Sequence, residues 1–124
     1  MKMNKKGFTL IELLAVIVVL AIIALIATPI VMNTITKAQE GADKNAAYNY
    51  IDAVENGFAL SSLDNPGTYT APTAVTTVDT SLVKGTAPSA VALSVSDGRV
   101  IGGTISFAKN TFTVGTDGTL TLSK

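Results

Sequence analysis

A long apolar run near the start of the chain limits what the chain can fold into. Between Phe8 and Met32 the only charged side chain is Glu12. The run is about 25 residues long, and about 20 apolar residues are enough to cross the hydrocarbon core of a bilayer as a helix. A charged side chain at the centre of a bilayer costs about 2.5–3.5 kcal/mol on insertion scales. The sequence offers no obvious internal partner for this carboxylate, so we expect another molecule to supply one.

Three lysines, Lys2, Lys5 and Lys6, precede the run and leave three interpretations of it open. A cleaved secretory signal has an apolar region of about 7–15 residues, which is shorter than this one, and Glu12 interrupts its start. A plain signal anchor would keep the lysines in the cytoplasm under the positive-inside rule, but it leaves Glu12 and Gly7 unexplained. The third interpretation rests on a family resemblance.

The start of the chain resembles the class III leader and N-terminal helix of bacterial type IV pilins and the related pseudopilins. The matching features are the basic leader ending at Gly7, the apolar Phe8, the string TLIELL over residues 9–14 and Pro29. The resemblance is close from Lys5 to about Met32. It implies that a prepilin peptidase, which is also a methylase, cuts after Gly7 on the cytoplasmic side and methylates the new amino group of Phe8. The processing site implied in this way consists of Lys5, Lys6, Gly7 and Phe8.

The resemblance also implies an assembly salt bridge between the Phe8 amine of one subunit and the buried Glu12 of its neighbour. Glu12 follows Phe8 by four residues, one helical turn along the same face. Because an unpaired charge is costly in a dry filament core, such a pair would select one axial register between subunits. The apolar side chains from Leu10 to Leu25 would pack around it.

Pro29 lies in the middle of the apolar pattern and cannot donate a hydrogen bond to the carbonyl of Leu25. One interpretation is that the helix stops at Thr28. The apolar pattern resumes at Ile30 and Val31, so we predict a helix kink at Pro29 instead.

Composition and periodicity divide the chain into five predicted segments. These are a leader over residues 1–7, a transmembrane or filament-core helix over 8–32, an amphipathic continuation over 33–63, a connecting loop over 64–89 and an antiparallel sheet over 90–124. The loop has room for one short strand near residues 74–78. In the continuation, spacings of three and four indicate an apolar stripe and a solvated face that includes Asp43. The stripe consists of Ile35, Ala38, Ala42, Ala46, Tyr50, Val54 and Phe58.

After Ser89 the pattern changes to a period of two, which indicates strands separated by Asp-Gly turns. We predict a three- or four-stranded antiparallel meander whose apolar face packs on the helix stripe. In its second strand, Ile101 and Ile105 should share the apolar face, with a bulge at Gly102 and Gly103. The predicted fold class is therefore α+β and pilin-like: a long N-terminal α-helical spine packed against a small antiparallel β-meander.

The residue types that are missing exclude several chemistries. The chain has no cysteine and no histidine, which rules out disulfides, thiol or imidazole metal sites and Ser/His or Cys/His catalysis. We predict no catalytic residues, no metal site and no cofactor, and we assign Asp97 and Asp117 to turns rather than to calcium binding. Because many pilins of double-membraned bacteria close a C-terminal loop with a disulfide, the lack of cysteine favours a Gram-positive source.

Charge adds a further exclusion. Net charge is zero, and three of the nine basic side chains precede Gly7, so removal of the leader would leave six against nine acidic ones. No basic face remains for direct nucleic-acid binding.

The favoured function is a structural one, the major pilin of a type IV pilus, processed by the peptidase and polymerised into an extracellular helical filament for adhesion, motility or DNA uptake. The alternatives are a pseudopilin of a type II secretion or competence system, or a monomeric membrane-anchored binding module. The implied partners are further copies of the chain, the prepilin peptidase/methylase, an inner-membrane assembly platform and, before assembly, the cytoplasmic membrane. The N-terminus would face inward and the head outward, and the assembled filament would be extracellular.

Overall fold

The computed structural model describes Gly7 and residues 9–123, so the predictions for Lys5, Lys6 and Phe8 lie outside the described residues. One helix, α1, spans Leu10–Asp64 and is followed by five strands and a short 3-10 helix over Thr80–Leu82. The strands are β1 (Ala74–Val75), β2 (Ala90–Ser96), β3 (Arg99–Ser106), β4 (Thr111–Val114) and β5 (Leu120–Ser123). The described residues up to Ala38 form one compact unit, here the N-terminal unit, and the residues from Gln39 onward form a second, the head unit.

Within the N-terminal unit, α1 continues through Pro29 without a break. The helix stop at Thr28 is therefore excluded, and the kink stays a prediction. The Thr28 hydroxyl donates to the carbonyl oxygen of Ala24 at 2.6 Å, and the Thr34 hydroxyl donates to that of Ile30 at 3.0 Å. These hydroxyls bond to their own helix, which leaves no hydroxyl donor unsatisfied in an apolar stretch.

The head unit contains a five-stranded antiparallel sheet in the order β1-β2-β3-β4-β5. The sequence predicts three or four strands. Strands β2 to β5 form this meander, and the fifth strand, β1, is the short strand for which the sequence left room near residues 74–78. In it, Ala74 pairs with Ser94 and Val75 with Leu93. Helix α1 ends at Asp64, just past the predicted limit of Leu63, and Pro66 follows two residues later. The predicted α+β class, with a long N-terminal helix and a small antiparallel sheet, is confirmed.

The predicted inward position of Ile101 is wrong. The register between β2 and β3 shifts between Ser94, which pairs with Gly102, and Val95, which pairs with Val100. Ile101 is the extra residue in this bulge, so it is 40% exposed while Val100 is only 4% exposed. A bulge places two residues opposite one, and this reverses the inward–outward alternation on its far side.

The buried stripe of α1 is rotated from the predicted one. The helix residues in the core are Ala47, Tyr50, Ile51 and Val54, which pack with the inward side chains of the sheet. Ala46 and Phe58 lie at the border of the core, whereas Ala42 is exposed. Periodicity fixes the spacing of a helix stripe, but the sheet that covers it selects which of two adjacent stripes is buried.

Polar side chains of α1 also form hydrogen bonds with backbone N–H groups of the sheet and of the connecting segment. The Tyr48 hydroxyl accepts a hydrogen bond from Leu120 N at 3.1 Å, and the Tyr50 hydroxyl accepts one from Asp79 N at 3.1 Å. Glu55 Oε1 accepts one from Val100 N at 2.9 Å. Each contact satisfies a backbone N–H at the start of a strand or of the 3-10 helix, where the ladder provides no partner.

Asp43, which the sequence assigns to the solvated face, is 5% exposed. Its carboxylate accepts hydrogen bonds from Gln39 Nε2 at 3.0 Å and from Asn110 Nδ2 at 2.7 Å. The assignment of Asp43 to the solvated face is therefore wrong. Asn110 lies in the turn between β3 and β4, 67 residues further along the chain, and the fold brings its side-chain amide to the Asp43 carboxylate.

Candidate functional site

The first turn of α1 carries a reciprocal pair of hydrogen bonds. Thr9 precedes the helix, and its hydroxyl oxygen accepts from Glu12 N at 3.2 Å. The Glu12 carboxylate in turn accepts from Thr9 N through Oε2 at 3.2 Å. This is a capping box, in which an N-cap Thr and a Glu three residues later satisfy each other's backbone N–H groups. The Thr-x-x-Glu signature was readable in the sequence, and the prediction that Glu12 lacks an internal partner is wrong.

The capping box holds the carboxylate of Glu12, the only acidic side chain of the apolar run, at the first turn of α1. The positive end of the helix dipole is at this turn, so it favours a carboxylate here. Only Oε2 takes the Thr9 N–H. A carboxylate has about four lone-pair sites on its two oxygens, so Glu12 keeps the capacity to accept from a second donor.

Beyond this turn, α1 presents apolar side chains in every direction. From Leu10 to Ile35, every large apolar side chain is at least 48% exposed, the lowest value being that of Leu13. Such a surface is far larger than the apolar patches that a monomer in water exposes. By length and composition the helix is also able to cross a membrane. The segment therefore needs a bilayer or other protein around it.

The structure leaves the predicted processing site largely undescribed. Gly7 is exposed, with open space around the position that a Cβ would occupy, and Lys5, Lys6 and Phe8 lie outside the described residues. Cleavage after Gly7, methylation of Phe8 and the pairing of Phe8 with Glu12 therefore stay predictions. Within the described residues there is no group of three or more acidic side chains placed to hold a metal ion.

Asp97 and Asp117 both lie in turns of the sheet. Asp97 and Gly98 have φ angles of 52° and 77°, the two positive values of a type I′ hairpin turn between β2 and β3. Asp117 Oδ1 accepts from the Thr119 hydroxyl at 2.6 Å and from Thr119 N at 3.2 Å. These two hydrogen bonds, that of the hydroxyl first, hold the pKa of the Asp117 carboxyl below its ordinary value.

Comparison with known proteins identifies the class of this N-terminal segment. Residues 2–28 match the family model of the prokaryotic N-terminal methylation motif. The resemblance drawn from the sequence is confirmed for this segment, which carries a prepilin-type N-terminal methylation motif like that of type IV pilin-like proteins.

Two curated relatives show which proteins the chain is similar to. The chain is 37% identical to the type II secretion system core protein G of Escherichia coli (strain K12) over 62 residues, which is 50% of this chain and 40% of the relative. It is 39% identical to the protein of the same name from Aeromonas hydrophila over 64 residues, 52% of this chain and 42% of the relative. The matches thus span about two fifths of the length of these relatives. No solved structure matches the chain significantly.

Proposed function

We propose that this chain is a pseudopilin-type filament subunit that is anchored in the cytoplasmic membrane and then polymerises in a secretion or competence machine. The observation that carries the proposal is the exposed apolar helix that begins at Leu10 and is capped by Thr9 and Glu12. The methylation motif supports processing by a prepilin peptidase before assembly. The sequence favours a major pilin, but both relatives are named as type II secretion proteins, and this supports the pseudopilin alternative.

In the proposed mechanism, the capping box keeps Glu12 satisfied while the subunit waits in the bilayer. Its carboxylate takes the Thr9 N–H, and so the acid is not left without a donor in an apolar medium. Cleavage after Gly7 would then create an ammonium group close to this first turn. The free acceptor capacity of the carboxylate would be filled by the Phe8 amine of a neighbouring subunit.

Apolar packing alone would not set the order of the subunits. Lipid tails are as apolar as leucine, so transfer of the helix from bilayer to filament involves little hydrophobic driving force. The side chains from Leu10 to Leu25 would therefore supply close packing, while the charge pair would select the axial register, because a shifted register leaves both charges unpaired. The role is structural, and the proposal includes no catalytic step and no cofactor.

The test compares the unchanged protein with two variants in the native host. Intact mass and N-terminal sequencing of the unchanged protein should show a chain that starts at Phe8 and carries one additional methyl group. Glu12→Gln keeps a carbonyl oxygen for the Thr9 N–H but removes the charge. It should be processed normally and yet be lost from the filaments sheared from cells that overproduce the chain. Asp64→Asn removes an exposed carboxylate at the other end of α1 and should assemble normally.

Four results would contradict the proposal. A chain that starts at Met1 would indicate a plain signal anchor, and one that starts after Ala27 would indicate a secreted domain. Normal surface display and no filament in either variant would indicate a monomeric membrane-anchored module. Long surface fibres at normal expression would favour the major pilin, with adhesion, motility or DNA uptake as its role, over the pseudopilin.

A further inference from the structure

An acidic cleft lies at one end of the head unit. The β2–β3 turn and the β4–β5 turn lie at this end because the strands form a meander. A cavity of about 550 Å³ is lined there by Asp52 and Glu55 of α1, by Asp97 and Asp117 of the turns, and by Arg99. A neighbouring cavity of about 820 Å³ shares Glu55, Asp97 and Arg99 with it. Four carboxylates and one guanidinium give the cleft a net negative charge.

Two of these carboxylates, those of Glu55 and Asp117, are held in place by hydrogen bonds. Glu55 Oε1 accepts from Val100 N at 2.9 Å. The backbone of Asp97 is set by its turn, and Asp117 is held by Thr119. A preorganised negative surface of this kind favours a cationic partner, because the carboxylates need no reordering when it binds.

The opposite end of the head unit carries two exposed lysines. Lys109 lies in the β3–β4 turn, which a meander places at the far end from the other two turns. Lys44 follows Asp43 on α1, and the hydrogen bond of 2.7 Å between Asp43 and Asn110 brings the two lysine-bearing segments together. Glu40, one turn before Lys44, is half-buried, and Asp43 is buried, so of the charged side chains in these two segments only the lysines are fully exposed.

We propose that the acidic cleft of one copy receives Lys109 and Lys44 of a second copy, so that successive heads dock end to end. The inference rests on the proposed filament function and names a contact between heads within it. The two surfaces differ, which makes the contact heterologous, and a heterologous contact that does not close generates an open helical array. Charge complementarity at such a contact sets register and suppresses wrong pairings more than it adds affinity.

The first test is a charge swap on exposed residues that hold no part of the fold. Asp52→Lys and Lys109→Glu each place like charges face to face in the proposed contact. Each should lower the yield of sheared fibres about fivefold, the effect expected of one exposed charge pair. The double variant reverses both charges and should restore the yield to that of the unchanged chain. Single variants that assemble normally, or a double variant that stays defective, would overturn the proposal.

The second test uses the absence of cysteine from the chain. Ala108 is exposed beside Lys109, and Ser96 is exposed at the rim of both cavities. In fibres of the Ala108→Cys/Ser96→Cys variant, a short bifunctional thiol cross-linker should give a ladder of covalent multimers. The control variant Ala108→Cys/Thr121→Cys, with its second thiol on the outer face of the sheet, should give none. A ladder from Ser96→Cys alone or from the control would overturn the proposal.

Other outcomes separate this inference from the proposed function. Fibres that depend on Glu12 but ignore the charge swap would refute only the docking of heads, whereas a chain that forms no fibres would refute both. If calcium raises the melting temperature of the detergent-solubilised subunit and Asp52→Lys abolishes that shift, the cleft is a cation site and the proposal fails.

Discussion

The N-terminal unit and the head unit use the same apolar residue types in opposite ways. In the N-terminal unit, no large apolar side chain from Leu10 to Ile35 is less than 48% exposed. In the head unit, Phe112 and Leu93 are 1% exposed and Ile105 is fully buried. One unit completes its own core, and the other leaves its apolar surface to be covered from outside.

The difference follows from how the apolar residues are spaced. In the head unit they alternate along strands and form one stripe on α1, so each element has an apolar face to bury and a polar face for water. In the N-terminal unit they surround the helix, and a helix that is apolar on all sides must be enclosed by lipid or protein. Stability should therefore be a property of the head, whereas the need to be enclosed by lipid or by other subunits should be a property of the N-terminal unit.

The largest expected effect tests this division directly. Phe112→Ala removes a buried ring that packs edge-on against Phe107 at a centroid distance of 6.3 Å, and it should destabilise the head by about 3–5 kcal/mol. Leu14→Ala removes a side chain that is 60% exposed, and it should change the free energy of unfolding by less than about 0.5 kcal/mol. Urea unfolding of the full chain in mild detergent, followed by tyrosine fluorescence, measures both. Equal losses would show that the two units are not independent.

Two adjacent glycines provide the next test. A Cβ at Gly103 would lie 2.0 Å from the carbonyl oxygen of Ala92, and the φ of Gly103 is 108°. Gly103→Ala should therefore cost about 3 kcal/mol or more through overpacking and backbone strain. At Gly102 the nearest atom would be 3.9 Å away, so Gly102→Ala is the matched control and should be much milder. A similar loss in the two variants would mean that Gly103 does not approach the backbone of Ala92 as described.

A smaller loss of stability is expected from removing the hydrogen bond between α1 and the connecting segment. Tyr50→Phe leaves Asp79 N without the hydroxyl that accepts its hydrogen bond, and the cost should be about 1–2 kcal/mol. Hydrogen exchange at the Asp79 amide should rise with it. Tyr69→Phe is the control, because the described hydrogen bond of Tyr69 is made by its backbone N–H. Unchanged protection at Asp79 would contradict the contact.

The smallest effect is a dependence of head stability on pH. Hydrogen bonds from the hydroxyl and then the backbone N–H of Ser81 lower the pKa of Asp79, and those of Thr119 lower the pKa of Asp117. Since the folded pKa lies below the unfolded value of 3.8, this stabilisation is present above pH 3.8 and is lost as the pH falls through the folded pKa. The urea midpoint should thus fall as the pH decreases below 3.8, and less steeply in Asp79→Asn/Asp117→Asn. An identical slope would refute the assignment.

The sequence by itself determined the N-terminal half of this protein. A run of apolar residues with one acid at residue 12 has few physical solutions, and the leader and string around Gly7 carry the family resemblance without any tertiary contact. The capping box was equally local, since Thr9 and Glu12 are three residues apart. The strand pattern after Ser89 and the Asp-Gly turn at Asp97 were readable for the same reason.

In the head, packing between segments set the faces that local patterns did not predict correctly. The bulge that turns Ile101 outward depends on the register with β2, and the burial of Asp43 depends on an amide 67 residues away. The pairing of β1 with β2 likewise joins segments with no shared local signal. Local periodicity sets spacing within one segment, whereas register and burial arise from packing between segments, and a single sequence does not record which segments meet.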